Sequence, residues 1–260
     1  VFSRSVDLLY IGSALSYLYV DVSGSDTNPG TKASPFRTIT RALAEAAIIK
    51  GNAAIFIGPG TYVTGETFPI RLQSNTALVC LGDNYTTVID NSAGNATTIL
   101  GASGAVVNGC RINSEQTVGA TTTISDNATA MTIINSYIFG NIVNPGQSPS
   151  VCVAVSSDTR VAKSTITGCS FNNSGIGINI SAGNPTIEFN TITGNVGTGV
   201  SVSGGIPVIQ GNDIQTNTTG ISITNATPAT VVTGNNIHGN TTGMSVSGSA
   251  ASPSINGNRI

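Results

Sequence analysis

From about residue 165 to the end of the chain, apolar and polar residues alternate in short runs, and the runs recur at a near-constant interval. A six-residue pattern, apolar-x-x-Asn-x-apolar, occurs as IEFNTI from Ile187, IQGNDI from Ile209, VTGNNI from Val232 and INGNRI from Ile255. Two earlier copies, VNGCRI from Val107 and ITGCSF from Ile166, carry Cys at the fourth place. From Ile166 onward the copies begin 21, 22, 23 and 23 residues apart. A second alternating run follows each complete late copy: Ile178-x-Ile180, Val200-x-Val202, Ile221-x-Ile223 and Met244-x-Val246. Gly177, Gly199, Gly220 and Gly243 precede these runs, and Pro185, Pro207, Pro228 and Pro253 open the segments that lead into the next copy.

Each unit therefore holds two or three strands of about four residues, and the repeat region shows no helical period. One short strand cannot bury its apolar face alone. Stacking the units about 4.8 Å apart pairs each strand with its copies above and below and merges the apolar columns into one core. The expected fold is an all-β, right-handed parallel β-helix, its hand set by the general rule for parallel crossovers. Asn190, Asn212, Asn235 and Asn258 then stack at one turn as a structural ladder of side-chain amides, because they lie between inward apolar positions. Asn195, Asn217 and Asn240 form a second column in the adjoining turn.

The opening differs. Residues 21–35 are rich in Asp, Asn, Gly and Pro and read as successive turns. From Thr38 the period becomes helical, with Ile39, Ala42, Leu43, Ala46 and Ile49 on one face, Thr38 as N-cap and Gly51 after the last turn. One amphipathic helix over about 38–50 at the head of a solenoid covers the apolar cross-section of the first coil. The chain divides into an N-terminal arm, 1–18, and one β-helix domain, 19–260, with regular coils over about 165–260. In the arm, Val6, Leu9, Tyr10, Ala14 and Tyr17 fit a helix face, whereas Leu18, Val20 and Val22 alternate as a strand.

Composition narrows the function classes. Only 8% of residues are charged, the net charge is -2 and no basic run exists, which excludes nucleic-acid binding by counterion release. No apolar run is long enough to span a membrane. The first residue is Val1, so a removed leader is expected. Cys80, Cys110, Cys152 and Cys169 are even in number and lack zinc spacing; they could pair in three ways or stand as buried thiols.

Within residues 19–90, the segments GSDTNPGT, SPFRTIT, PGTY and GETFPI resemble the N-terminal signature of secreted β-helix proteins of the pectate-lyase-like superfamily. The subset they are most similar to consists of bacterial and archaeal surface or secreted proteins of unknown function. The resemblance implies a right-handed β-helix and an extracellular or cell-surface location. It also raises a polysaccharide lyase or glycoside hydrolase as an alternative function, with a polysaccharide as a partner.

The residues argue against catalysis. Hydrolysis of a glycosidic bond needs two carboxyl groups about 5–10 Å apart, and a calcium-dependent lyase needs several oxygen ligands on one patch. After residue 100 the acidic residues are Glu115, Asp126, Asp158, Glu188 and Asp213, none adjacent in sequence. Glu188 and Asp213 fall in different columns of the repeat. His238 follows the inward Ile237 and points outward, and Arg160 and Lys163 have no acidic cluster beside them. Asp21, Asp26 and Asn28 are the one candidate calcium set, against a reading of them as Asx turns. With no Trp and 5% aromatics, no stacking platform for sugars is expected.

The reading that follows is a non-catalytic extracellular structural protein that assembles with itself head to tail. INGNRI opens a new coil that the sequence does not complete, leaving Ile255 and Ile260 at an open end. The apolar arm residues Val1, Phe2, Val6, Leu8, Leu9, Tyr10 and Ile11 are expected to complete that coil in a neighbouring copy and so propagate a filament. A trimeric tailspike-like adhesin is a further alternative, but it requires side-by-side contacts and no exposed apolar stripe is evident.

Overall fold

The computed structural model describes residues 16–50, 52–82, 86–91, 97–114, 122–126, 130–140, 150–156, 163–225, 229–248 and 252–260. The fold is the expected parallel β-helix. Each complete coil contributes one strand to each of three sheets, and the strands pair in parallel. Sheet I has ten strands, from Ser16–Val20 through Thr186–Glu188 to Ser254–Asn256. Sheet II has eight, from Gly60–Tyr62 to Asn236–His238, and sheet III has eight, from Ile70–Arg71 to Thr242–Ser247.

Alternation sets which side chains enter the core. Strands of sheets I and II are three residues long in most coils, with the central residue buried and its neighbours half-exposed. Ile166, Ile187, Ile209 and Val232 thus form one inward column, and Ile192, Ile214 and Ile237 another. Burying each such side chain contributes about 2–3 kcal/mol.

In sheet III two adjacent residues are buried, and the first is a glycine in the late coils. The reason is steric. A Cβ on Gly220 would lie 2.5 Å from the Gly243 carbonyl oxygen and 2.7 Å from Ile237 Cγ2. The glycine column lets the backbone close against the next coil.

The helix α1 (Ile39–Ile48) buries Ile39, Ala42, Leu43 and Ala46 against the first strands of sheets I and III. Thr38 is its N-cap, as expected, its Oγ1 accepting from the Arg41 N–H. Two carboxylates complete the cap. Glu66 accepts from the N–H groups of Ile39 and Thr40 and from Thr40 Oγ1, and Asp26 accepts from the N–H groups of Arg37 and Thr38 and from Thr38 Oγ1. Negative charge at a helix N-terminus is favoured by the helix dipole. Burial pushes the Glu66 carboxyl above its ordinary value despite these three donors. Ile49, expected on the buried face, is 38% exposed because the helix ends before it. Lys50, with φ 61, takes the left-handed position after the helix, and Gly51 lies outside the described residues.

The first strand of sheet I begins at Ser16 and pairs with Ala53–Ile57, so the β-helix reaches into the segment read from sequence as the arm. Residues 1–15 lie outside the described residues.

Candidate functional site

The turn from sheet I to sheet II is two residues long, and its first residue has a left-handed backbone, as at Asn135 (φ 50), Phe189 (φ 54) and Gly211 (φ 62). The second residue points inward and builds the ladder. Asn212 Oδ1 accepts from the Asn190 N–H at 3.0 Å and from Asn190 Nδ2 at 2.9 Å, while its own Nδ2 donates to the Ile187 carbonyl at 2.9 Å. Asn235 does the same for Asn212, and Asn258 for Asn235. The column continues upstream through residues of other types. Asn190 Oδ1 accepts from the Cys169 N–H, Cys169 Sγ from the Ser136 N–H, and Ser136 Oγ from the Cys110 N–H. The second column, Asn195, Asn217 and Asn240, repeats the geometry. Both columns are structural: apart from Asn195 Oδ1, the amides are spent on backbone groups and on the next amide.

Cys80 and Cys110 form a disulfide that ties adjacent coils together, which resolves the pairing that spacing left open. Cys152 and Cys169 are fully buried free thiols, and burial pushes both up to about 12.

The candidate calcium residues are each engaged within the opening loop and helix cap. Asp21 accepts from the N–H and Oγ of Ser23, Asp26 holds the helix cap, and Asn28 donates to the Pro35 carbonyl. Among the described residues no three His, Cys, Asp or Glu side chains gather as a metal requires.

The other described acidic residues are dispersed and engaged. Glu45 pairs with Arg41, and Asp90 accepts weakly from Asn113 at 3.5 Å. Glu188 lies on the outer face of sheet I and accepts from Gln210 at 2.7 Å. Asp213 lies on the outer face of sheet II, across the turn between the two sheets from Glu188. Asp126 is 1% exposed at a position where successive coils carry Val155, Ile180 and Val202, and Ser164 hydrogen-bonds to it. Lys163 is exposed, while Glu115, Asp158 and Arg160 lie outside the described residues.

Two groupings went unseen in the sequence. His238 points outward as expected, but its Nε2 lies 3.1 Å from Asp213 Oδ1, which also accepts from Asn236; Gln215 donates to Oδ2. The signal was the spacing of 25, one 23-residue coil plus two, which brings alternate outward residues together diagonally. The second grouping lies midway along sheet II. The Arg111 guanidinium lies 4.7 Å from the centre of the Phe139 ring, and Tyr137 and Phe139 are 4.8 Å apart at 38°. The family profile for proteins of unknown function DUF1565 matches residues 22–258. The chain belongs to the DUF1565 family.

Solved structures similar to this DUF1565 chain include the pectate lyase Pel9A, with TM-score 0.50, 17% identity, and 96% of this chain aligned to 79% of that one. A GH136 lacto-N-biosidase from Eubacterium ramulus gives TM-score 0.46 at 10% identity, over 93% of this chain and 68% of that one. The A-module of the mannuronan C-5 epimerase AlgE6 from Azotobacter vinelandii gives 0.40 at 16%, over 78% and 71%. At 17% identity the likeness to Pel9A establishes the β-helix fold and not an activity. No curated protein sequence matches the chain.

Proposed function

We propose that this DUF1565 chain is a non-catalytic structural solenoid of the cell exterior whose coils stack end to end with those of further copies. The observation that motivates end-to-end stacking is the face of the last described coil, which a further coil, whether the polypeptide's own continuation or that of another copy, would cover. Ile223 and Val232 are fully buried, whereas their partners one coil on, Val246 and Ile255, are 49% and 36% exposed, and Ile260 is 71% exposed. That face presents apolar side chains together with a backbone edge, the two things a further coil would need. The segment proposed to cover it in a neighbour is the apolar stretch within residues 1–15. The dispersal of the described acidic side chains supports the non-catalytic part.

Negative-stain electron microscopy of the protein from its natural source, with its mass measured, tests this. Filaments that shorten to single rods on Ile255→Asp or on deletion of residues 1–15 are the expected result. Uniform single rods overturn it, and so does a mass showing that the polypeptide's own continuation covers the face.

One observation favours a second reading, a polysaccharide-active enzyme: the half-exposed His238–Asp213 pair, in which a carboxylate orients an imidazole. Release of new reducing ends from a polysaccharide by the wild type, lost in His238→Gln, would establish it.

A further inference from the structure

We infer that the outer face of sheet II carries a carbohydrate-binding site centred on Arg111, Tyr137 and Phe139, distinct from the end face and from the His238–Asp213 pair. The register builds it. Arg111, Tyr137 and Ser170 are successive members of one outward column, and Asn113, Phe139 and Asn172 of the next. The residues between them, Ile112, Ile138 and Phe171, are fully buried, so all six named side chains stand on the same outward surface. Three coils and two alternate positions give a patch about 10 Å by 7 Å, enough for two sugar rings.

Its chemistry is that of a sugar site. A pyranose presents an apolar C–H face and a rim of hydroxyls. The negative face of an aromatic ring suits the first, and amides with a guanidinium suit the second. Arg111 lies over one face of Phe139 and makes no ion pair among the described residues. Its Nε has no hydrogen-bond partner, and neither have the amide oxygens of Asn113 and Asn172. Buried polar atoms are nearly always paired, so these three gain partners at the face of the sheet only if their side chains turn outward. A turn of either amide presents its oxygen to a ligand hydroxyl. The sheet fixes these side chains before binding, which lowers the entropy cost of holding a sugar. The Arg111 charge admits an acidic sugar as well as a neutral one, the shared chemistry being the stacked ring and its hydroxyls.

Affinity electrophoresis of the full chain through gels containing neutral polysaccharides (cellulose derivatives, xylan, β-glucan) and acidic ones (alginate, polygalacturonate) tests the site. The expected result is retardation by at least one polysaccharide, weakened about tenfold or more in Phe139→Ala and Tyr137→Ala. Thr233→Ala, on the outer face of sheet I, should leave it unchanged. Phe139→Leu keeps an apolar β-compatible side chain but removes the ring, so it reports on stacking even where Phe139→Ala fails to fold. Arg111→Gln should weaken acidic ligands more than neutral ones; equal loss of both assigns the site to neutral sugars. Absence of retardation in every gel, or retardation that survives Phe139→Leu and Tyr137→Ala, overturns the inference.

Discussion

Asn212→Ala should cost the fold about 4–6 kcal/mol, which would make this one amide among the largest single contributors to the late coils. Asn212 is 1% exposed. Its oxygen accepts from the N–H and Nδ2 of Asn190, and its Nδ2 donates to the carbonyls of Ile187 and Gln210 and to Asn235 Oδ1. Removing it leaves the Asn190 N–H without its acceptor and the Ile187 carbonyl without this donor, in a place water does not reach. The two orphaned buried groups cost about 1–3 kcal/mol each, and the three lost bonds to groups that keep another partner about 0.5 kcal/mol each. Asn258→Ala is the control, since Asn258 makes the same kinds of contact but is only half-buried. Water can replace its amide, and the cost should be nearer about 1 kcal/mol. Asn212→Ser should fall between, because Ser136 fills the same column upstream with an acceptor alone. Urea denaturation followed by circular dichroism measures the global change. Because solenoids open locally, hydrogen exchange at the Asn190 amide supplies a local readout. If Asn212→Ala and Asn258→Ala cost the same, or if Asn212→Ala costs under about 1 kcal/mol, the ladder is not the polar support argued here.

Gly220→Ala should destabilise by about 2 kcal/mol or more, since its Cβ would meet backbone at 2.5 Å; Gly234→Ala, with φ 62 but open space around it, should cost only about 1 kcal/mol, as paired thermal melts can show. Cys152 and Cys169 should resist alkylation at pH 8 in the folded chain and react on unfolding without reductant, while Cys80 and Cys110 react only after reduction; mass spectrometry counts the labels. Glu66 holds its proton to a higher pH when folded than unfolded, so folding takes up a proton between the two values and this contribution to stability is lost as pH rises through the folded one. The wild type should therefore lose stability relative to Glu66→Gln as pH rises above the ordinary carboxyl range, and denaturation curves that stay parallel there would contradict the burial argument.

How far the sequence could be read depended on regularity. In the late coils the separations between ladder residues are 21, 22, 23 and 23, and the Asn at each fourth position is doubly constrained, by the inward turn and by the amide below. Two constraints on one residue type leave a pattern visible by eye, and fold, register and ladder all followed from it. The middle coils keep the geometry but relax the chemistry. There the separations are 26 and 33, and Cys110, Ser136 and Cys169 replace Asn because a single acceptor is enough to hold the N–H of the coil above. The copy IINSYI from Ile133 therefore escaped the motif, and with it went the register that sets Tyr137 and Phe139 beside Arg111. Counting aromatics over the whole chain made a stacking platform look excluded, whereas what matters to a ligand is the local density on one face. The same limit hid the helix cap. Asp26 and Glu66 stand 12 and 26 residues from the N–H groups they bind, and no local pattern joins them. A solenoid converts regular spacing into neighbours, so the contacts it hides are those made where the spacing changes, and those include the cluster of Arg111, Tyr137 and Phe139.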